Sequence, residues 1–337
     1  MAMLLRNIKE SYNSLTLLKQ ELQGLIMWLK YGVTPDGELK NIDEVSRGKT
    51  QLTCLYCGGQ LTAKKGKVKE HHFAHTGDSC KPVSARVKNK AFPSLPLYDN
   101  FNIQLKGEEL EQLKILWREY GALNYPITKD LINFHWVLKK LMRHDGNYQF
   151  TNLGKIPVGA LSLKLFNQVQ EPLMLAELAK LQQSANLAQA ASLSSLSERL
   201  ADLQIYRAQL RRILLNSLYF LEIKADGQVF YKIGITTRQI EERIAEIQRD
   251  LKAHYAEVVV NLLGLWQHRG NVELYFKHRY KDFNYPIGSL TEYFKFADVK
   301  TVLNDLFEME SKELSGIELG VMKSNNCNLI DELRQVG

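Results

Sequence analysis

The chain has 337 residues, 45% hydrophobic and 24% charged, with a net charge of +7. At roughly 150 residues per domain this suggests two or three folded domains, with apolar material for more than one core. A basic balance suits a polyanionic partner, because lysine and arginine displace counterions from phosphates. No run of about 20 apolar residues occurs, which excludes a membrane-spanning helix, and no membrane partner is expected.

Residues 1–30 read as one amphipathic helix with Leu4, Leu5, Ile8, Leu15, Leu18, Leu22, Leu25 and Ile26 on its stripe, a face for core packing or a partner contact, core packing being the commoner outcome. No secretory leader is visible, so the expected location is the cytoplasm. Cysteines there are reduced or metal-bound rather than paired in disulfides. Residues 31–90 change to Gly, Lys, Cys and His, with turn signals at Pro35-Asp36-Gly37 and Gly58-Gly59, the pattern of a small metal-clipped module. Residues 91–170 read as helical, with helices over Glu108–Tyr120 and Thr128–His144 and a polar hairpin over Gly146–Gly154. That order is winged-helix-like, although a plain helical spacer fits better. Residues 171–215, rich in Leu, Ala, Gln and Ser, read as a long connecting helix or coiled coil with a drifting register. Such a helix either joins two copies into a homodimer or separates two domains.

From 216 to 315 the pattern is α/β. Strands are expected at Ser217–Lys224, Val229–Ile235 and Ala256–Gln267, with a turn at Asp226-Gly227. Helices are expected at Thr237–Lys252, Asn271–Phe283 and Val299–Leu314, and residues 316–337 read as a polar tail. The fold class is α+β and multidomain.

Cys54-Leu55-Tyr56-Cys57 is a C-x2-C knuckle, and His72-Phe73-Ala74-His75 follows. Two cysteines on a tight turn can hold one Zn²⁺ at two corners, and an H-x2-H pair can close the tetrahedron. Thiolate and imidazole favour Zn²⁺ over Mg²⁺ or Ca²⁺. Such a structural zinc also holds together a module too small to fold by apolar burial alone. His71, His72, His75 and Cys80 are all within reach. The preferred set is Cys54, Cys57, His72 and His75, and the rival is a cluster without metal. Together with Asp36–Leu39 ("D-G-E-L") and Ser46–Lys49 ("S-R-G-K"), these motifs make residues 32–75 resemble the N-terminal part of competence protein CoiA-like proteins. In that family a nuclease-like domain with acidic catalytic residues follows. No such acidic strand pattern follows Lys90, so the resemblance implies the zinc module and not that catalytic centre. Lys64, Lys65, Lys67, Lys69, Arg86, Lys88 and Lys90 either track phosphates or form a solvated surface.

A second constellation lies further on. Tyr219 stands on the first α/β strand, Tyr231 and Lys232 on the second, Arg243 on the following helix, and Glu273 at the start of the next. Phosphodiester hydrolysis needs a base for water, a cation for developing charge and a metal to polarise the phosphate. A phenol near pKa 10 requires nearby cations to act as a base. Arginine grips phosphate oxygens, and a carboxylate is a hard ligand for Mg²⁺ or Mn²⁺. Strand alternation puts Tyr231 and Lys232 on opposite faces, so both cannot enter one site.

With Lys232-Ile233-Gly234-Ile235-Thr236 and Thr291-Glu292-Tyr293-Phe294, residues 217–296 resemble the GIY-YIG nuclease superfamily, in the branch with T5orf172-like and Mug113-like domains. The first motif departs from that pattern, reading Ser-Leu-Tyr at Ser217–Tyr219. The resemblance implies a three-stranded antiparallel sheet flanked by helices, and a DNA endonuclease using one divalent metal, Mg²⁺ or Mn²⁺. Tyr219 is then the general base, Lys232 and Arg243 the cations, and Glu273 the metal ligand. The zinc module and middle region would aid DNA binding. The alternative is a catalytically inactive nucleic-acid-binding protein with the same fold.

Overall fold

The computed structural model describes residues 28–66, 69–89 and 91–323. The expected N-terminal helix therefore lies outside the described residues up to position 27, as do Lys67, Lys90 and the tail beyond 323. Trp28–Lys30 are irregular chain leading into the first strand.

In chain order come β1 (Tyr31–Val33), β2 (Leu39–Asn41), β3 (Gly48–Thr53), β4 (Gln60–Lys64), β5 (His72–His75) and α1 (Lys81–Asn89). Next are α2 (Gly107–Leu116), α3 (Phe134–Leu138), β6 (Met142–Asp145), β7 (Asn147–Phe150) and α4 (Asn152–Lys155). The long helices α5 (Leu163–Ala190) and α6 (Leu196–Leu215) follow. The remainder is β8 (Ser217–Ala225), β9 (Gln228–Thr236), α7 (Ile240–Leu251), β10 (Val258–Trp266), α8 (Val272–Arg279), β11 (Tyr293–Phe294), α9 (Val299–Phe307) and α10 (Gly316–Lys323).

The chain divides into two compact units. Among the described residues the first comprises 28–94 and 178–208. Its antiparallel sheet has the order β2-β1-β3-β4-β5. Leu29, Ile42, Leu52, Leu61, Phe73 and Val83 form its core. The helical stretch expected over 171–215 is present as two helices rather than one. Ser192, in left-handed backbone at φ 49°, breaks it, and Arg207 Nη2 of α6 donates to Gln182 Oε1 of α5 at 2.8 Å. Serine at the corner tolerates the turn.

The second unit comprises 95–177 and 209–323. The helix expected over Thr128–His144 shrinks to a 3-10 turn at Lys129–Leu131 and α3. Lys140, at φ 60°, ends the helical run, and Met142–Asp145 pair with Asn147–Phe150 across Gly146. The hairpin therefore starts earlier than expected, because a left-handed residue cannot sit inside a helix. The expected tail contains α10.

The main sheet has the order β10-β8-β9-β11, all antiparallel. It adds the two-residue β11 to the three expected strands. Asp226 and Gly227, both at positive φ, make the tight β8–β9 turn, the geometry that matches right-handed strand twist. Alternation sends Tyr219, Leu221, Phe230 and Tyr293 to one face, where Ile240, Ile247 and Leu251 of α7 cover them. Leu218, Phe220, Tyr231, Ile233 and Phe294 go to the other, against Val272, Tyr275 and Phe276 of α8. Both faces are thus buried.

Candidate active site and metal centre

In the first unit the knuckle is a tight turn, with Gly58 N–H donating to the Cys54 carbonyl at 2.8 Å. Gly58 sits at φ 70°, where a β-carbon would be strained. Gly59 N–H points at Cys57 Sγ, 3.4 Å away. The structure gathers Cys54, Cys57, His75 and Cys80, whose ligand atoms all lie within 4.8 Å of one another. Cys57 Sγ and His75 Nε2 are 3.2 Å apart.

The preferred set is corrected at one corner, where Cys80 replaces His72. His72 and His75 lie three apart on β5, so alternation puts them on opposite faces. His72 stacks on Trp28 with ring centroids 4.4 Å apart, and its Nδ1 lies 2.8 Å from the Glu70 carbonyl. The donor set fits a zinc ion. Burial pushes the Cys54 and Cys80 thiols up, and a bound cation supplies the charge that stabilises such thiolates. His75 Nδ1 is buried without a hydrogen-bond partner.

Tyr56, between the two knuckle cysteines, donates its hydroxyl to Asp202 Oδ1 on α6 at 2.7 Å. Arg86 on α1 clasps the same carboxylate from Nε at 2.9 Å and Nη2 at 2.8 Å, and its Nη1 reaches Glu198 at 2.9 Å. The guanidinium also lies over the Tyr56 ring, 4.4 Å from its centroid. Arg86 is thus committed to the buried Asp202 and to Glu198, which corrects its placement among residues free to track phosphates.

In the second unit, Arg243 Nε of α7 donates to the Tyr219 hydroxyl of β8 at 3.2 Å. Gly234 stands directly opposite Tyr219 in the β8–β9 register. A β-carbon there would collide with the Tyr219 ring and hydroxyl, so only glycine lets the phenol lie across β9. Burial raises the Tyr219 pKa, while Arg243 and its hydrogen bond oppose the rise. For Arg243, burial is outweighed by Tyr219 and Glu246, and the guanidinium stays charged.

Lys232 lies on the Tyr219 side of the sheet and is 4% exposed. Its Nζ sits 4.7 Å from the Tyr293 ring centroid and donates to Glu292 Oε2 at 2.9 Å. Burial drives its pKa down, partly countered by Glu292. Tyr231 packs on the opposite face against Phe220 and Phe296. Glu273, at the start of α8, pairs with Lys277 at 3.0 Å, and the same Lys277 Nζ lies 3.0 Å from Glu292 Oε1. Glu292 is held at about 2: burial would raise it, but Lys232 and Lys277 win.

The four side chains expected to act together are linked in two bonded groups, Tyr219–Arg243 and Lys232–Glu292–Lys277–Glu273. Their charges reach across, since Glu273 and Glu292 act on Tyr219, and Arg243 acts on Lys232. Glu292 is the addition. It lies inside the Thr291–Phe294 block, but nothing in the block states which lysines it meets.

No curated protein and no solved structure matches the chain. Two family models do match, one at each end. Residues 38–82 match the competence protein CoiA N-terminal domain, a span that takes in all four gathered ligands, and residues 216–310 match the T5orf172 domain, which spans Tyr219, Lys232, Arg243, Glu273 and Glu292.

Proposed function

We propose that the chain is a metal-dependent DNA endonuclease that hydrolyses phosphodiester bonds at the Tyr219–Glu273 site. The observation that carries the reading is the Tyr219–Arg243 hydrogen bond, with Lys232, Glu273 and Glu292 within electrostatic reach. Because Arg243 donates, the Tyr219 oxygen is the acceptor and its own proton is directed elsewhere. That orientation suits a phenol that relays a proton from water, with Arg243 stabilising its anionic form. Arg243 and Lys232 supply the positive charge that a phosphorane-like transition state demands.

A divalent cation fits the carboxylates present. Glu273 and Glu292 both pair with Lys277 Nζ at 3.0 Å, so a metal held by Glu273 would take over the neutralising part of that ammonium. Glu273 would hold Mg²⁺ or Mn²⁺, which supplies Lewis-acid polarisation of the phosphate when bound. Zn²⁺ at Cys54, Cys57, His75 and Cys80 would be structural, its module helping to choose the DNA. No helix among the described residues is long and apolar enough to cross a membrane.

The test is cleavage of a panel of duplex, branched and single-stranded DNAs with Mg²⁺ or Mn²⁺, comparing wild type with Glu273→Ala. Cutting by wild type that is lost in the variant supports the reading. Binding without cutting across the panel replaces it with a non-catalytic nucleic-acid-binding protein.

A further inference from the structure

We infer that Glu292 is the positioning residue of this site, anchoring the Lys232 ammonium beside the Tyr219–Arg243 pair and tying it through Lys277 to Glu273. The inference rests on the nuclease reading for what Lys232 does, but not for how Lys232 is held.

The short strand β11 accounts for the placement. Tyr293 stands directly opposite Lys232 in the β9–β11 register, so Glu292, one residue earlier, arrives at the end of the lysine side chain. The two residues are far apart in sequence, and their bond at 2.9 Å depends on this pairing. Lys232 needs such an anchor. Its side chain is 5% exposed, and a buried ammonium without a counter-charge is costly.

The groups packed around Lys232 make Glu292 decisive. Arg243 on α7 and Lys277 on α8 are cations that disfavour its charge. Tyr293 on β11 offers a ring face, which attracts a cation less strongly than a carboxylate does. Glu292 is the carboxylate that acts on it. Its other oxygen, Oε1, takes Lys277 at 3.0 Å, so each oxygen holds a different lysine. An ordinary surface ion pair has one partner and contributes little. Here one carboxylate spaces two cations that would otherwise repel each other, and it shares Lys277 with Glu273.

The experiment uses the full chain as wild type, Glu292→Gln and Glu292→Asp. Gln keeps the shape and loses the charge, and Asp keeps the charge with a shorter reach. Lysine side chains labelled with ¹³C are titrated by NMR, with the Lys232 signal assigned by its loss in Lys232→Met. The expected result is a Lys232 midpoint about one unit lower in Glu292→Gln, with partial return in Glu292→Asp. In parallel, kcat for DNA cleavage falls roughly tenfold or more in Glu292→Gln while KM changes little, and Glu292→Asp recovers part of the loss. An unchanged Lys232 midpoint in a Glu292→Gln protein with wild-type melting overturns the inference. If Glu292→Gln fails to fold, Glu292→Asp decides, since a midpoint and kcat equal to wild type despite the shortened side chain overturn it as well. Absence of cutting by wild type sinks the nuclease reading alone, because the NMR arm still decides how Lys232 is held.

Discussion

The Tyr219 hydroxyl accepts a hydrogen bond from Arg243 Nε at 3.2 Å, joining the first strand of the C-terminal sheet to the helix that covers it. If the phenol relays a proton and the guanidinium stabilises charge, the two act as one unit. Tyr219→Phe and Arg243→Ala should each lower single-turnover cleavage by about 10²–10³, and the double variant by less than the product. Multiplicative losses would separate the two residues into independent roles.

Gly234 is predicted to be the least replaceable residue of β9. A β-carbon at this position meets the Tyr219 ring, so Gly234→Ala must displace the phenol or the strand. Overpacking of this kind costs about 1–3 kcal/mol. Urea unfolding should show that loss together with reduced cleavage, and wild-type stability in the variant would refute the close approach.

The metal centre makes a prediction that separates two histidines. Purified protein should contain one zinc per chain by mass spectrometry of metals. Cys80→Ser and His75→Ala should lose it and melt at lower temperature, because structural zinc contributes folding energy outright. His72→Ala should keep it, since that ring stacks on Trp28 instead. Zinc loss in His72→Ala with retention in Cys80→Ser would restore the assignment made from spacing.

Glu292 predicts a pH dependence of stability. Its folded-state value of about 2 lies below the ordinary 4.5, so the folded state binds this proton less readily than the unfolded chain does. The stabilisation is present above about 4.5 and is lost as pH falls from there towards 2. Because the carboxylate is half exposed, solvent screening trims its size. Denaturant midpoints of wild type and Glu292→Gln should converge across that window. Parallel curves would show that the pairing contributes nothing.

The sequence carried much of the C-terminal fold around these residues. The strands and helices that bear Tyr219, Arg243 and Glu273 were legible from the sequence, while the roles of the three residues came from the family resemblance. Strand alternation says that only one of Tyr231 and Lys232 can face Tyr219, and the choice of Lys232 came from the family resemblance. The same rule excludes His72 beside His75, but it applies only once residues 72–75 are known to be a strand, and four residues rich in histidine do not announce one. Glu292 was beyond reach for a different reason. Its partners come from a strand and a helix well removed in sequence, and no local pattern encodes which lysine a loop carboxylate meets. The bend at Ser192 was not read from the sequence, because leucine spacing on both sides favours helix whether or not the chain turns between them.

Arg86 should matter more than any surface charge of its unit. Arg86 and Asp202 have side chains only 11% exposed, and removing one partner strands the other in a poorly solvated place. Arg86→Ala should destabilise by about 3–5 kcal/mol. Lys30→Ala, which breaks an exposed pair with Glu70, should change stability by less than about 1 kcal/mol. Comparable losses in chemical denaturation would contradict the burial difference.

The bond from Tyr56 to Asp202 bears on how the protein can be dissected. Excising the cysteine-rich stretch alone would amputate the acceptor of the Tyr56 hydroxyl and the mate of a largely enclosed guanidinium. A truncation that grafts residues 178–208 back onto 28–94 would supply both, so any minimal zinc-binding fragment has to be assembled from discontinuous pieces of the gene product rather than cut at a single boundary.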